Sequence, residues 1–76
     1  MKEIHRISIT DAVVDSIKEM IESGEYPIGE KLPTETNLCN ELKVSRTSVR
    51  EAIRVLQALG YVDLKPGKGA CVANYN

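Results

Sequence analysis

The feature that most constrains the fold is a very short link between two helical segments. Apolar periodicity predicts one helix over residues 35–42 and another over residues 46–59. Thr34 and Ser45 are suited to cap the N-termini of these helices, which leaves only residues 43–44 as the link. Two helices joined so closely must cross at a steep angle. The pattern therefore predicts a helix-turn-helix unit.

The second of these helices has two distinct faces. Arg46, Arg50 and Arg54 recur every four positions, so at roughly 100° per residue they drift by only about 40° each and share one face. Apolar residues at i, i+3, i+4 and i+7 spacing form the other face, namely Val49, Ala52, Ile53 and Leu56. One face can therefore pack on a core while the other meets an anionic partner.

The residues before this unit predict one more helix and a loop. Residues 10–23 have a helical apolar stripe, and Ser8 or Thr10 can cap its start. Prolines and glycines break the periodicity over residues 24–33, where we expect at most a very short strand at residues 31–32.

The chain after Gly60 changes from a helical to a strand pattern. Residues 61–65 and 70–73 alternate as strands around a turn at residues 66–69. We therefore predict a single domain over residues 1–76 that is mainly α with a small β-hairpin. Three helices and a two- to three-stranded antiparallel wing sheet make it a winged helix-turn-helix.

The charge is distributed unevenly along the chain. The net charge is only −1, which by itself argues against a nucleic-acid partner. Residues 1–42 contain four basic and nine acidic side chains, a formal charge of −5, whereas residues 43–76 contain six basic and two acidic ones, a charge of +4. Because salt screens distant charges over about 10 Å, the local field of the C-terminal half favours an anionic partner.

The composition excludes several other classes of function. Cys39 and Cys71 are too few for a disulfide scaffold or a four-ligand metal site, and we expect both to be small buried hydrophobes. His5 is the only histidine, and no nucleophile has an evident base, so we predict no enzyme, no metal and no cofactor. No apolar run approaches the roughly 20 residues of a membrane span, and no signal peptide opens the chain, so we expect no membrane partner and a cytoplasmic location.

A DNA-recognition helix explains the arginine face. The second helix of a helix-turn-helix enters the major groove with its N-terminal residues at the base edges. Arg46 and Arg50 can each pair with guanine O6 and N7 or contact a phosphate. Arg54 lies one turn further on and is expected to contact a phosphate or remain solvated. A protein-interaction module that presents the arginine face to an acidic partner remains the alternative.

The predicted wing carries two more cations. Lys65 and Lys68 flank Gly67 in a turn whose glycines let the backbone approach a partner closely. Wing residues 65–70 can therefore contact the DNA backbone or minor groove. The same segment is equally compatible with an ordinary hairpin turn that its lysines keep soluble.

Four linked motifs resemble the N-terminal DNA-binding domain of the GntR family of bacterial transcriptional regulators. The resemblance covers residues 12–72, and its most specific parts are GEKLPTE, VSRTSVREA, GYV and PGKGACV, in that order. The wing is most similar to the FadR-like branch. The family usually has an arginine at the position of Thr36, a glycine at that of Lys43 and often a proline at that of Ser48. We expect a lost or hydroxyl-mediated contact at Thr36, and a cost of about 1 kcal/mol if Lys43 is left-handed. At Ser48 we expect a free backbone N–H and a free hydroxyl.

The resemblance implies a homodimeric regulator that binds a short palindromic operator on double-stranded DNA. It also implies a larger C-terminal domain that senses a small-molecule effector, and the chain stops about where a linker to it would begin, so we expect an isolated DNA-binding domain. Family members contact DNA at the positions of Ser45, Arg46, Thr47, Ser48, Arg50 and Gly67. The complete predicted DNA-binding set is Thr34, Thr36, Ser45, Arg46, Thr47, Ser48, Arg50, Arg54, Lys65, Gly67 and Lys68.

Overall fold

The computed structural model describes residues 8–75, and His5 lies outside them. The order of elements is α1 (Ile9–Glu22), α2 (Glu35–Leu42), α3 (Arg46–Ala58), β1 (Val62–Lys65) and β2 (Gly69–Val72). Three helices followed by an antiparallel hairpin confirm the predicted mainly helical winged fold. The bounds of α2 are as predicted, and those of the other elements differ by one residue at some ends.

Each helix begins at a hydroxyl residue that caps it. The side chains of Ser8, Thr34 and Ser45 accept hydrogen bonds from backbone N–H groups three residues further on, at 3.0, 3.1 and 3.2 Å. Each cap contributes about 1 kcal/mol to helix stability. Of the two candidates for capping α1, Ser8 is the one that does so. The cap at Ser45 fixes the start of α3 at Arg46, so the arginines lie in its first turns.

The core lies where α1, α2 and α3 meet the hairpin. Its largest fully buried side chains are Val13, Ile17, Ile21, Leu38, Val49, Leu56 and Val62. The predicted inner faces of the helices supply most of this set. Ile53 was expected on the inner face of α3 but is only half-buried. Cys71 is buried as predicted, whereas Cys39 is only partly so, and both are free thiols.

The link between α2 and α3 has a left-handed residue. Lys43 has φ 58° and ψ 48°, and it is the one non-glycine residue with positive φ within residues 8–75. The N–H of the next residue, Val44, donates to the carbonyl of Cys39 at 3.2 Å and closes the turn. This conformation lets the chain turn from α2 into α3 within two residues.

The wing is a two-stranded antiparallel hairpin, in which Val62 pairs with Val72 and Lys65 pairs with Gly69. At its edge a single bridge joins Lys31 to Cys71, in the segment where a very short strand was expected. The N–H of Lys68 donates to the carbonyl of Lys65 at 3.0 Å, around a proline and a glycine with φ 77°. These are the features of a type II turn, in which only glycine fits the third position without strain.

Candidate nucleic-acid interface

The exposed side of α3 carries the arginines. Arg46, Arg50 and Arg54 are all exposed, while Val49, Ala52 and Leu56 on the other side of the helix are fully buried. The helix is therefore anchored by one face and presents a row of three guanidinium groups on another.

The hydroxyls at the start of α3 are partly used within the protein. Ser45 Oγ accepts from the N–H of Ser48, and its own O–H donates to Ser48 Oγ at 3.1 Å. The expectation that Ser48 offers a free N–H is therefore wrong, because the N-cap uses it, whereas the Ser48 hydroxyl accepts from Ser45 and keeps its own O–H donor. Thr47 is exposed.

Arg50 forms a two-point ion pair that was not predicted. Its Nε lies 3.0 Å from Oε2 of Glu35 and its Nη2 lies 3.1 Å from Oε1, so both carboxylate oxygens accept from one guanidinium. The hydrogen bond from Arg50 lowers the pKa of Glu35, although desolvation opposes this. The hydrogen bond to Glu35 in turn raises the pKa of Arg50. Sequence reasoning did not connect these two residues, which lie 15 positions apart.

Arg46 also contacts the first turn of α2. Its Nη2 donates to the hydroxyl of Thr36 at 3.3 Å. Thr36 was expected to lose a DNA contact or replace it with its hydroxyl, and in this structure that hydroxyl accepts from Arg46. Adjacent residues of α2 thus bind two arginines of α3.

A cleft of about 560 Å³ separates α3 from the wing. Four cationic side chains line it, Lys31, Arg50, Arg54 and Lys68, and Glu35 is the one acidic residue among its lining. Its apolar lining includes Leu38, Ile53 and Leu64. The cleft thus joins the basic face of α3 to the wing in one surface.

The structure brings together several of the predicted site residues in this cleft. Thr34, Arg50, Arg54, Gly67 and Lys68 all line it, whereas Lys65 does not. The hydroxyl of Thr34 accepts the N–H of Asn37 as the N-cap of α2.

Sequence reasoning missed Lys31. The short strand predicted at residues 31–32 was the available signal, because pairing of that strand with the hairpin brings its side chains to the wing. Lys31 pairs with Cys71, and its Cε lies 4.0 Å from where a Cβ on Gly69 would stand.

Two other kinds of site are absent from residues 8–75. No group of three or more His, Cys, Asp or Glu residues is placed there to hold a metal ion. None of the described helices combines the length and the apolar character that crossing a bilayer requires.

Comparison with known proteins identifies sequence relatives. The model of the gntR family of bacterial regulatory proteins matches residues 9–72. The Exu regulon transcriptional regulator of Escherichia coli (strain K12) is 48% identical over 58 residues, which cover 76% of this chain and 22% of that protein. The Glc operon transcriptional activator of the same strain is 36% identical over 76 residues, which cover 100% of this chain and 30% of that protein. The chain thus spans less than a third of the length of these curated relatives.

Solved structures show the same architecture. The DNA-binding domain of AraR, determined in complex with an operator, matches with a TM-score of 0.84 at 29% identity, covering 96% of this chain and 88% of that one. Streptococcus agalactiae GntR matches with a TM-score of 0.77 at 32% identity, covering 86% of this chain and 31% of that one. The chain therefore belongs to the GntR family of bacterial regulatory proteins, and its fold is the winged helix-turn-helix DNA-binding domain of that family.

Proposed function

We propose that this domain binds duplex DNA with sequence specificity in the control of transcription. Helix α3 lies in the major groove, and wing residues 65–70 contact the adjacent backbone or minor groove. The observation that carries the proposal is the exposed row of arginines on α3, which continues into the cation-lined cleft beside the wing. The operator-bound AraR domain supports the same use of the fold.

Base contacts and phosphate contacts fall to different residues. Arg46 and Arg50 lie in the first turns of α3, where a recognition helix approaches base edges, and each guanidinium can donate two hydrogen bonds to guanine. Arg54, Lys31 and Lys68 line the cleft further along, where a sugar–phosphate strand passing from the major to the minor groove would lie.

The remaining predicted residues support these contacts. Thr47 offers an exposed hydroxyl, and Gly67 lets the wing backbone approach the DNA without a side chain. Thr34, Thr36, Ser45 and Ser48 hold hydrogen bonds within the domain that position the helices. Lys65 adds charge at the base of the wing turn.

Family membership supports a proposal for the larger context of the domain. We propose that the whole protein acts as a homodimer on a palindromic operator, because a two-fold protein matches a two-fold site. A small-molecule effector would act through a further domain. A DNA partner supports a location in the bacterial cytoplasm and a role in regulation rather than catalysis.

Fluorescence anisotropy with a labelled random-sequence duplex at low salt tests the proposal. Binding should be detectable and should weaken steeply with salt, with a logarithmic slope of about −0.9 per neutralised phosphate. Arg54→Ala should weaken it, while Lys18→Ala, which removes a cation from α1, should not. Absence of binding to random duplex would refute the proposal and favour an acidic protein partner. If binding is detected, selection of bound duplexes from a random pool identifies the operator, and we expect its consensus sequence to be palindromic.

A further inference from the structure

We propose that Glu35 is a specificity-determining residue of the DNA interface, which acts by positioning Arg50. It raises discrimination among base pairs and lowers affinity for non-specific DNA. This inference rests on the proposed function, because it assigns a role within the same interface. Glu35 itself need not touch the DNA.

The hydrogen bonds leave one edge of the guanidinium free. Arginine has five N–H donors, one on Nε and two on each terminal nitrogen. Glu35 accepts from Nε at 3.0 Å and from Nη2 at 3.1 Å. Two donors on Nη1 and one on Nη2 therefore remain, and one from each of these nitrogens points off the end of the group. That end is the edge that donates two parallel hydrogen bonds to O6 and N7 of guanine.

The location of Glu35 restricts the orientation of the Arg50 guanidinium. Glu35 is the first residue of α2, directly after the N-cap Thr34, so its backbone is fixed at the positive end of the helix dipole. A side chain held at two points by a fixed carboxylate has fewer orientations than a free arginine. The guanidinium is thus oriented before it meets the DNA, and less conformational freedom is lost on binding.

The stability of the fold does not account for this ion pair. The side chains of Arg50 and Glu35 are 56% and 34% exposed, and exposed pairs contribute little to folding. A carboxylate among four cations of the cleft also opposes the approach of phosphates. An acidic residue in this position lowers the affinity for non-specific DNA. We attribute its presence to a benefit that offsets this loss, namely the orientation of the Arg50 guanidinium.

The neighbouring arginine provides an internal comparison. Arg46 donates to a neutral hydroxyl, that of Thr36, at 3.3 Å. Arg46 is positioned by one hydrogen bond to a neutral group, and Glu35 acts on its charge only through space. The first turn of α2 therefore treats the two arginines differently, because of the two only Arg50 is held by hydrogen bonds to a carboxylate.

The test compares Glu35→Gln with Glu41→Gln, which removes the same charge from an exposed position in the last turn of α2. Binding of this chain to its selected operator and to a scrambled duplex is measured between about 50 and 200 mM salt. For Glu35→Gln we expect tighter binding to the scrambled duplex, with a salt slope steeper by about 0.9, because Arg50 becomes free to contact a phosphate. We expect the ratio of operator to scrambled affinity to fall about fivefold or more, the lower limit for one bidentate base contact.

Two further measurements separate positioning from charge and from folding. Glu35→Asp keeps the charge but shortens the side chain by one methylene, and it should also lose discrimination. Each operator guanine is replaced in turn by 7-deazaguanine, which lacks the N7 acceptor. At one position this replacement should weaken binding of the unmodified protein more than binding of Glu35→Gln. An unchanged affinity ratio for Glu35→Gln, or equal losses on both duplexes with a lowered melting temperature, would overturn the inference. If the unmodified protein binds neither duplex, the proposed function fails instead.

Discussion

Replacing Lys43 by glycine should make the domain more stable, although it removes a side chain. Lys43 has φ 58° and ψ 48°, in the left-handed region. That conformation costs a residue with a Cβ about 1–2 kcal/mol, which glycine does not pay. Glycine also gains about 0.4–1 kcal/mol of freedom in the unfolded chain, which opposes the effect. The net gain is about 0.5–1 kcal/mol, or a rise in melting temperature of about 2–8 °C for a domain of this size.

Thermal unfolding followed by circular dichroism measures this gain. The control is Lys43→Ala, which removes the ammonium group but keeps the Cβ and therefore the strain. We expect Lys43→Gly to melt above both the unmodified protein and Lys43→Ala. If the glycine variant melts at or below the alanine variant, the left-handed backbone at this position carries no strain and the reasoning is refuted.

Three further changes test the core, the wing and the ion pair. Leu56→Ala, at a fully buried site in α3, should lower the free energy of unfolding by about 2–5 kcal/mol in a denaturant titration. Gly67→Ala should cost about 1–2 kcal/mol by the same measurement, through its φ of 77° alone, because no atom lies within 4 Å of the added Cβ. The lowered pKa of Glu35 stabilises the fold above the unfolded glutamate pKa of about 4.3, and this contribution is lost as the pH falls through the folded value. The free energy of unfolding should therefore fall less steeply with decreasing pH in Glu35→Gln than in the unmodified protein. An equal fall in both proteins would contradict the ion pair between Glu35 and Arg50.

The helices and their caps could be predicted because their signals are local. Thr34 and Ser45 lie three residues before the N–H groups that they accept, so capping depends on neighbours in the sequence. The periodicity of α3 likewise gave its buried and basic faces directly. The two-residue link then fixed the relation of α2 to α3.

The contacts between elements could not be predicted in the same way. Arg50 and Glu35 are 15 positions apart, and their pairing depends on the crossing angle of two helices. Tyr61 stacks on Tyr75 with ring centroids 4.9 Å apart, and its hydroxyl donates to Glu22. No periodicity links these residues, since Tyr61 meets the last turns of α1 only when the whole chain has folded.

The difference between Leu64 and Val62 has the same origin. Alternation in β1 places both on one face, yet Val62 is 1% exposed and Leu64 is 52% exposed. The hairpin extends past the core toward the wing turn, so an inward-facing position at its far end lines the open cleft instead. Alternation predicts which face of a strand a residue lies on. Whether that position is buried depends on how far the core extends, which is set by the whole fold.

The central claim is that Arg50 contacts a base and Arg54 contacts a phosphate, and one comparison tests it most directly. The affinities of Arg50→Ala and Arg54→Ala are measured on the selected operator and on single-base-pair variants of it, over a range of salt. We predict that Arg50→Ala loses about 1–3 kcal/mol of discrimination at one base pair. Arg54→Ala should weaken binding equally on every sequence and reduce the salt slope by about 0.9. Uniform weakening by Arg50→Ala, with discrimination intact at every position, would contradict the account.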